Sequence, residues 1–421
     1  MDILKENEKL GSPAIFQLVC FNRPEGDFLK TASYHTRGEW WPAAECSRIL
    51  VITGNCTQPQ LFESLCCLDN NYKRDLERPT RMASENNYLV GQCQEMCPIE
   101  EQLMREKEGL VHSLEKGAVV VKSYVRSAAG LQMSNPALVR PPQVLHSTVH
   151  YLFNHILCDE SHKFSVIYGF LDDRLKSVKQ DLFLQQPPSE LCFPILEPIV
   201  RFYAYSAYRL GSEVSRHFDS KLNHNQLLES LKWLLREYSA VSHVSETRLE
   251  MECLYLVLNL GDPQALMRSL VLSKQIRQPL LQHCERLSLA WFLDNYVRVL
   301  KEVLKLPLLH FAVFCVYQLP NVRRFALTVL NTAYSSKNLT VPLSVLTLQL
   351  LYNSEAEASA ECKKLGIQVV DGDVKAVHFN KTTACHCDSL SHTPSFLPIS
   401  ATSERFKTVF LPDLLLCSRD R

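Results

Sequence analysis

Apolar residues recur at helical spacing along most of this 421-residue chain, and this periodicity limits the folds it can adopt. The pattern is clear from Gln143 onward, where Leu145, Val149, Leu152 and Ile156 follow the i, i+4, i+7, i+11 series. Further helical patterns cover residues 164–182, 195–210, 227–238, 246–260, 264–273, 277–292, 295–304 and 307–317. Successive helices with short connectors predict an all-α fold, a solenoid of stacked helix pairs. The spacing is too irregular to assign a strict repeat period.

The pattern changes near residue 321, and residues 321–383 are predicted to form a separate subdomain. We predict three helices, Asn321–Ala333, Pro342–Leu351 and Glu355–Leu365, followed by strands at Ile367–Val370 and Val374–Phe379. Three helices followed by a small β-ribbon is the order of a winged helix. From residue 384 the Ser, Thr, His and Pro content rises and the periodicity is lost, which predicts a disordered tail over residues 384–421.

The composition is that of an ordinary soluble globular protein, with 46% hydrophobic and 21% charged residues. The formal net charge is zero, so no global field draws the whole molecule to nucleic acid or anionic lipid. The acidic N-terminus lacks the apolar core of a signal peptide, and no apolar run approaches a membrane span. Because the sixteen cysteines are scattered through helical patterns, we expect a reducing compartment, the nucleus or cytoplasm.

The N-terminal region has no clear period. We treat residues 1–70 as an extension of unknown role, in which Glu39–Pro42 and Ile49–Ile52 suggest a small strand-containing piece. Residues 71–90 are polar and interrupted by a Pro-Thr break, which is typical of a linker.

The most informative segment is residues 91–106, Gly-Gln-Cys-Gln-Glu-Met-Cys-Pro-Ile-Glu-Glu-Gln-Leu-Met-Arg-Glu. Pro98 suits the first turn of a helix, where its missing N–H costs nothing. An apolar stripe follows, and it predicts an amphipathic helix packed by that stripe. The stripe consists of Leu103, Leu110, Val111 and Leu114.

This segment resembles the opening of the domain of the Sac-three/GANP family, named for yeast Sac-three and the animal germinal-centre-associated nuclear protein. The pattern Gly-x-Cys-x-x-Met-Cys-Pro-x-x-Glu, then Met-Arg-Glu, is matched by Gly91, Cys93, Met96, Cys97, Pro98, Glu101, Met104, Arg105 and Glu106. Gln92, Gln94 and Glu95 stand where the family has Thr, Pro and Asp. Further ordered matches lie at residues 122–130, 138–142, 170–182 and 255–262, so the resemblance covers roughly residues 91–380, with the helical domain over 91–320. The short animal members of the family look closest.

The resemblance implies a PCI-like fold, helical repeats ending in a winged helix. It implies a non-enzymatic scaffold that binds a PCI-domain protein and a small acidic protein of the Sem-one/DSS-one type in messenger RNA export. For short animal members it implies a role in centrosome duplication and mitotic progression, with the nucleus, cytoplasm, centrosome and spindle as locations. The alternative hypothesis is an RNA-binding adaptor that acts in export through the winged helix.

Alternative chemistries have little support. Cys93 and Cys97 have a spacing that zinc sites allow, but a structural zinc needs four ligands. The remaining ligands would have to come from Cys66, Cys67, His112, Cys385, His386 or Cys387. We therefore interpret both cysteines as small buried apolar groups, and predict no resident metal or cofactor.

Two further patterns have structural explanations. Asp172 and Asp173 are adjacent on a helix and point about 100° apart, which argues against an acid pair. His146 and His150 have the i, i+4 spacing of a metal-binding pair, but Ser147 stands where a metalloprotease helix needs Glu. Phosphate-binding glycine loops are also absent from the sequence, so we predict no enzymatic activity.

Basic residues of the predicted winged helix are the candidate contacts for RNA or a partner. They are Arg323, Arg324, Lys363, Lys364, Lys375 and Lys381. If these residues converge they form a patch that contacts phosphates; otherwise they are ordinary surface cations. The second helix of this subdomain, Pro342–Leu351, carries more apolar residues than one helix usually buries alone, which favours a protein interface.

Overall fold

The computed structural model describes two compact units of the chain, residues 1–80 and residues 81–421. The described residues are 17–20, 31–33, 49–52, 89–125, 135–211, 215–241, 246–275, 278–370, 372 and 374–381. The predicted linker up to residue 88 and the predicted disordered tail lie outside these residues, as does most of the predicted N-terminal extension.

The first unit contains a three-stranded antiparallel sheet. Its strands are β1 (Gln17–Cys20), β2 (Thr31–Ser33) and β3 (Ile49–Ile52), in the order β2-β1-β3. Leu18 of β1 lies opposite Ala32 on one side and Val51 on the other. The strand predicted from the Ile49–Ile52 run is therefore confirmed.

The second unit is helical, with thirteen α-helices in its described part. They are α1 (Ile99–Lys107), α2 (Pro142–Tyr151), α3 (Phe164–Gln185), α4 (Ser189–Leu210), α5 (Ser220–Ser239), α6 (Glu246–Leu258), α7 (Pro263–Gln275), α8 (Pro279–Phe292), α9 (Tyr296–Glu302), α10 (Leu308–Tyr317), α11 (Leu319–Ala333), α12 (Leu343–Gln349) and α13 (Glu355–Lys364). A π-helical turn, Leu152–Ile156, extends α2, and short 3-10 helices cover Ser113–Glu115, Pro136–Leu138 and Val303–Lys305. None of the helices in the described residues is both long and apolar enough to span a bilayer.

These helices form an α-solenoid, as predicted. From α4 to α11 the helices pack mainly on their neighbours in sequence, as α6 does on α5 and α7, and α10 also packs on α4 and α6. Helix α4 contacts α2, α3, α5 and α10 and is buried along most of its length, although Pro194 and Pro198 lie inside it. The helix before it ends at Gln185, immediately ahead of the Pro187-Pro188 pair that predicts its end.

The chain ends its described part in a small α/β subdomain. Helices α11, α12 and α13 are accompanied by strands β4 (Thr340–Pro342), β5 (Gln368–Val370) and β6 (Ala376–His378), paired antiparallel in the order β4-β6-β5. Val341, Val377 and Val369 lie side by side in this register. The helices and the β5–β6 ribbon agree with prediction. Strand β4 was not predicted, because its three residues are too few to show a period.

Two predicted helix starts are corrected here. Helix α11 begins at Leu319, so Asn321 lies inside its first turn and does not cap it. Helix α12 begins at Leu343, because Pro342 is still part of β4, where it pairs with Ala376. Gly366 follows the end of α13 with a φ of 75°, a left-handed conformation that glycine adopts without strain.

Candidate functional site

The segment that opens the recognised pattern, residues 89–98, bonds to the backbone of the 3-10 turn Pro136–Leu138 and of Val139, just before α2. The backbone N–H of Gln92 donates to the Pro136 carbonyl at 2.9 Å, and that of Cys93 donates to the Val139 carbonyl at 3.0 Å. The Gly91 N–H donates to the Gln185 side chain on α3 at 3.0 Å. Three stretches that are distant in sequence therefore meet at this point.

Gly91 is required there because the neighbouring backbone approaches it closely. A Cβ at this position would lie 2.6 Å from the Val139 carbonyl oxygen and 2.9 Å from the Arg140 carbonyl carbon. Real Cβ atoms do not approach backbone atoms this closely, so any side chain would force the two segments apart.

A buried ion cluster joins this segment to α3. Arg140 Nε donates to Asp181 at 2.7 Å, and its Nη2 donates to the Ser177 hydroxyl at 2.9 Å. Lys122 donates to the other Asp181 oxygen at 2.7 Å and to the Leu138 carbonyl at 2.6 Å. Each of the two cations bonds to the Asp181 carboxylate and to a further oxygen, so neither is buried without hydrogen-bond partners.

A second buried cluster centres on Glu115. Its carboxylate accepts from Arg105 of α1, from Arg174 of α3 at 3.2 Å and from the Val121 N–H at 2.9 Å. Burial acts to raise the pKa of Glu115, but Arg174, the Val121 N–H and Arg105 outweigh it and hold the pKa below its ordinary value. The carboxylate is therefore ionised in the folded protein at neutral pH.

The other residues of the pattern have structural positions as well. Glu101 accepts hydrogen bonds at 2.8 Å from both the backbone N–H and the hydroxyl of Ser123. The Met96 carbonyl accepts from the Lys122 N–H at 3.0 Å, and buried Pro98 immediately precedes α1. The structure thus brings Gly91, Cys93, Met96, Cys97, Pro98 and Glu101 together as one clasp on α3.

Cys93 and Cys97 are buried free thiols within this clasp. Burial raises the pKa of both, that of Cys97 to about 12, so neither is an activated nucleophile. Among the described residues no three His, Cys, Asp or Glu side chains converge on a point that could hold a metal. The other cysteines considered as zinc ligands lie outside the described residues.

The carboxylates of Asp172 and Asp173 diverge, as helix geometry predicts. Asp172 binds Lys176 at 2.6 Å and accepts from the Tyr203 hydroxyl at 3.1 Å, whereas Asp173 accepts from the Tyr124 N–H at 3.2 Å. The rings of His146 and His150 contact each other, with centroids 4.4 Å apart.

The prediction that Arg323 contributes to a surface basic patch is wrong. Its side chain is 0% exposed. Its guanidinium binds Glu357 at 3.0 Å, donates to the carbonyls of Leu350 and Leu351, and lies 4.0 Å from the centroid of the Tyr352 ring. Leu351 has a φ of 56°, so Arg323 holds together a strained turn between α12 and α13. The sequence pattern does not reveal the burial of Arg323, because the residues that pair with it lie 27 to 34 residues further along the chain.

The remaining predicted cations differ in exposure and in position along the C-terminal sheet. Arg324 is half-buried and bonds to the Asn321 side chain, whereas Lys363, Lys364, Lys375 and Lys381 are exposed. Gln368 of β5 lies opposite His378, and Val370 lies opposite Ala376, so Lys381 and Lys375 flank opposite ends of β6. Lys363 and Lys364, at the end of α13, precede the β5 end that Lys381 also approaches.

Helix α12 divides its apolar residues between core and solvent. Leu343, Leu346 and Leu350 are buried, whereas Leu348 is 79% exposed and Val345 is 39% exposed. The excess of apolar residues noted in the sequence therefore leaves two large side chains uncovered by the subdomain.

Sequence reasoning missed the buried ion clusters as a unit. Five members lie in the matched segments, at residues 105, 122, 140, 174 and 181, and the sixth, Glu115, lies between two of these segments. The sequence does contain a signal for them. Arg174 and Asp181 lie on α3, a 22-residue helix, and on the same face as its buried apolar residues. Charged residues on such a face require partners.

Comparison with known proteins adds the family to this geometry. The chain is 24% identical to SAC3 family protein 1 of Schizosaccharomyces pombe in an alignment of 348 residues, which covers 75% of the chain. It is 26% identical to Protein xmas of Drosophila melanogaster over 66% of its length, and 26% identical to SAC3 family protein B of Arabidopsis thaliana over 42%. The matches span only 34%, 14% and 11% of these three relatives. The range that matches a known family begins within the clasp and ends just after β5. Because residues 96–371 match the SAC3/GANP family, the chain belongs to that family.

Proposed function

We propose that this protein is a non-enzymatic helical scaffold in nuclear messenger RNA export. The observation that carries this proposal is the family match, which extends over the solenoid and most of the C-terminal subdomain. The resemblance of residues 91–380 to this family implies binding of a PCI-domain protein and a small acidic protein of the Sem-one/DSS-one type. For the short members it implies work in centrosome duplication and mitotic progression, and hence locations at the nucleus, cytoplasm, centrosome and spindle.

The geometry supports a binding role over catalysis. The buried charged residues near α1 and α3 are engaged with one another as ion pairs, so they act in folding; they are Arg105, Glu115, Arg140, Arg174 and Asp181. A surface cavity between α8 and α9, lined by Arg286, Leu289, Ala290, Leu293, Asn295 and Arg298, has a volume of about 60 Å³. This cavity is smaller than the pockets that usually hold a small-molecule substrate, which have volumes of about 300 Å³ or more.

The C-terminal subdomain is the proposed surface for the PCI partner. Its order, helix, strand, two helices and two strands, supports the winged-helix interpretation. Leu348 and Val345 supply exposed apolar area, and β4 and β5 are the outer strands of the sheet. A partner subdomain that buries two large apolar side chains gains about 1.5–3 kcal/mol for each.

The proposal is tested by purifying the intact chain from nuclear and mitotic extracts and quantifying the PCI-domain and small acidic proteins retained. A Val345→Ser, Leu348→Ser variant should retain at least tenfold less of both. The matched control is Leu222→Ser, Leu304→Ser, which removes two exposed leucines from α5 and from the 3-10 turn after α9. Equal recovery of the partners by the intact chain, the variant and the control would reject this interface. Recovery of no PCI-domain protein by the intact chain would reject the scaffold assignment.

The second candidate, an RNA-binding adaptor, is favoured by Lys363, Lys364 and Lys381, which are exposed near one end of the C-terminal sheet. Lysine contacts to phosphates release counterions, so RNA binding should weaken steeply as salt rises. A Lys363→Gln, Lys364→Gln, Lys381→Gln variant should bind RNA more weakly, and its affinity should depend less on salt concentration. The control Lys163→Gln, Lys221→Gln, Lys232→Gln should keep the affinity and the salt dependence of the intact chain. Binding that persists at high salt would instead indicate an apolar contact.

A further inference from the structure

Helix α1 presents its apolar side chains to solvent, whereas its one buried side chain, Arg105, is charged. Ile99 is 61% exposed and Leu103 is 58% exposed, while Arg105 is the residue of this helix that is buried. The sequence-based expectation that Leu103 and Leu110 pack inward is therefore wrong, since Leu110 is exposed as well. Of the predicted stripe, only Leu114 is fully buried and Val111 is half-buried.

The inverted orientation of α1 has an identifiable cause. Arg105 donates to the Val121 carbonyl at 3.0 Å and pairs with buried Glu115, and Glu101 accepts from Ser123. On a helix with about 100° between residues, Arg105 and Glu101 each point about 160° away from Leu103, almost to the opposite face. The two anchoring side chains therefore force Leu103 and its neighbour Ile99, about 40° away, to face outward.

We define the α1 face as the outward surface centred on Ile99 and Leu103. Single exposed leucines are common on protein surfaces and need no explanation. Here, however, the helix contributes no apolar side chain to the core, so its apolar residues have no role in its own packing. An apolar stripe at i, i+4 spacing on an exposed helix matches the way one helix packs against another.

The charges around the α1 face restrict what can cover it. Between residues 95 and 108, the exposed charged side chains are four carboxylates and one ammonium group. The carboxylates belong to Glu95, Glu100, Glu106 and Glu108, and the ammonium to Lys107. An apolar stripe with an acidic border repels RNA and acidic peptides, and attracts a cationic surface.

We propose that the α1 face is a docking site for a cationic amphipathic helix of a partner protein. Apolar side chains of that helix, spaced at i, i+3 or i+4 and i+7, would pack on Ile99 and Leu103, and its Lys or Arg residues would face Glu100 and Glu106. This surface belongs to α1 and not to the C-terminal subdomain that carries Leu348, so it would supply a second binding site beyond the proposed PCI interface.

The test uses the full-length chain and a defined probe, an 18-residue fluorescent helix with Leu at i, i+3, i+4 and i+7 and Lys elsewhere. Fluorescence anisotropy should show binding that weakens at least tenfold in an Ile99→Ser, Leu103→Ser variant. The Leu222→Ser, Leu304→Ser protein is the matched control and should bind like the intact chain. Because all four side chains are exposed, neither variant should unfold.

The charge requirement is measured with a second pair of variants. Glu100→Gln, Glu106→Gln, Glu108→Gln should weaken binding about tenfold at low salt and flatten its salt dependence. Glu160→Gln, Glu190→Gln, Glu355→Gln removes three exposed carboxylates elsewhere and should change neither. Equal binding of a peptide with Glu in place of Lys, or of a scrambled Lys/Leu peptide, would overturn the proposal.

Two other occupants would also overturn it. A second copy of the chain would appear as concentration-dependent dimerisation that Ile99→Ser, Leu103→Ser abolishes. A segment of the same chain would appear as an intramolecular product when a photo-crosslinking residue replaces Leu103. The proposal does not rest on the export role, because loss of PCI binding through Leu348 leaves the prediction for the α1 face unchanged.

Discussion

Arg140 and Asp181 form an ion pair 2.7 Å long, and their side chains are 0% and 1% exposed. Arg140 comes from the loop before α2, and Asp181 from the last turns of α3. This contact, together with Lys122 on the other carboxylate oxygen, attaches the clasp that carries the recognised pattern to the solenoid.

Removing the shared carboxylate should be strongly destabilising. Asp181→Asn leaves Arg140 buried without a counter-ion, so the free energy of unfolding should fall by about 3–5 kcal/mol. Urea unfolding monitored by circular dichroism measures this change. Glu160→Gln, which neutralises an exposed loop carboxylate, should alter stability by less than about 0.5 kcal/mol. Similar stability in both variants would contradict the role given to Asp181.

Adding one methyl group at Gly91 should open the clasp. Gly91→Ala places a Cβ against two backbone segments, and we expect a loss of about 1–3 kcal/mol in unfolding free energy. Gly372→Ala is the control, because the new Cβ would lie 3.8 Å from the Val374 carbonyl oxygen, an ordinary van der Waals distance. Amide hydrogen exchange of residues 91–98 should accelerate only in the first variant.

Arg323 should behave as a core residue. Arg323→Gln removes the charge that pairs with Glu357 and the donors to Leu350 and Leu351, so it should destabilise the C-terminal subdomain by about 3 kcal/mol or more. Lys363→Gln should change stability by no more than about 0.5 kcal/mol. Limited proteolysis of the α12–α13 turn reports the difference, and equal cleavage of both variants would argue against a structural Arg323.

His310 should make the protein acid-sensitive below pH 6.5. It is buried, and its Nε2–H donates to the Glu250 carbonyl at 2.9 Å. Burial lowers the pKa of His310, although the nearby Glu250 acts to raise it. Since the unfolded state then binds the proton more readily, stability is fully present above about pH 6.5 and falls as pH decreases toward the folded pKa.

The loss attributable to His310 is at most about 1.4 kcal/mol per pH unit. His310→Gln should flatten the dependence of unfolding free energy on pH between about 6.5 and 5. His155→Gln, a change at an exposed histidine, should leave that dependence intact. If both variants keep the wild-type slope, His310 does not cause it.

The cysteines of the clasp should be chemically inert. Cys93 and Cys97 are buried with raised thiol pKa values, whereas Cys158 is exposed. Under native conditions iodoacetamide should modify Cys158 well before either clasp thiol, as read by mass spectrometry of each peptide. Faster labelling of Cys93 and Cys97 after addition of a zinc chelator would favour the zinc alternative.

Much of the helical architecture could be predicted from sequence. The bounds of α3, α8, α10 and α13 were predicted within a few residues, because burial of one helix face imposes an apolar period that can be counted. Glycine at 366 and proline at 187 and 188 supplied the stops. Strand β4 could not be predicted, because a three-residue strand exists only through its pairing with β6.

The candidate sites were less predictable. The pattern at residues 91–106 identified the family, but not that its charged residues form two buried clusters with α3. Leu103 was assigned to the core and Arg323 to the surface, and the structure places each in the opposite environment. Both errors have the same origin. Residue type alone does not show what the rest of the chain places against a side chain.

The sequence by itself determined the helical fold class, the approximate order of helices and the family, since these depend on local period and on ordered motifs. Tertiary structure alone decided which face of each helix is covered and which charges are paired. A period shows that two faces of a helix differ, but not which face meets protein. That choice was made on α1 by Glu115, ten residues beyond Arg105, and on α11 by carbonyls 27 and 28 residues beyond Arg323.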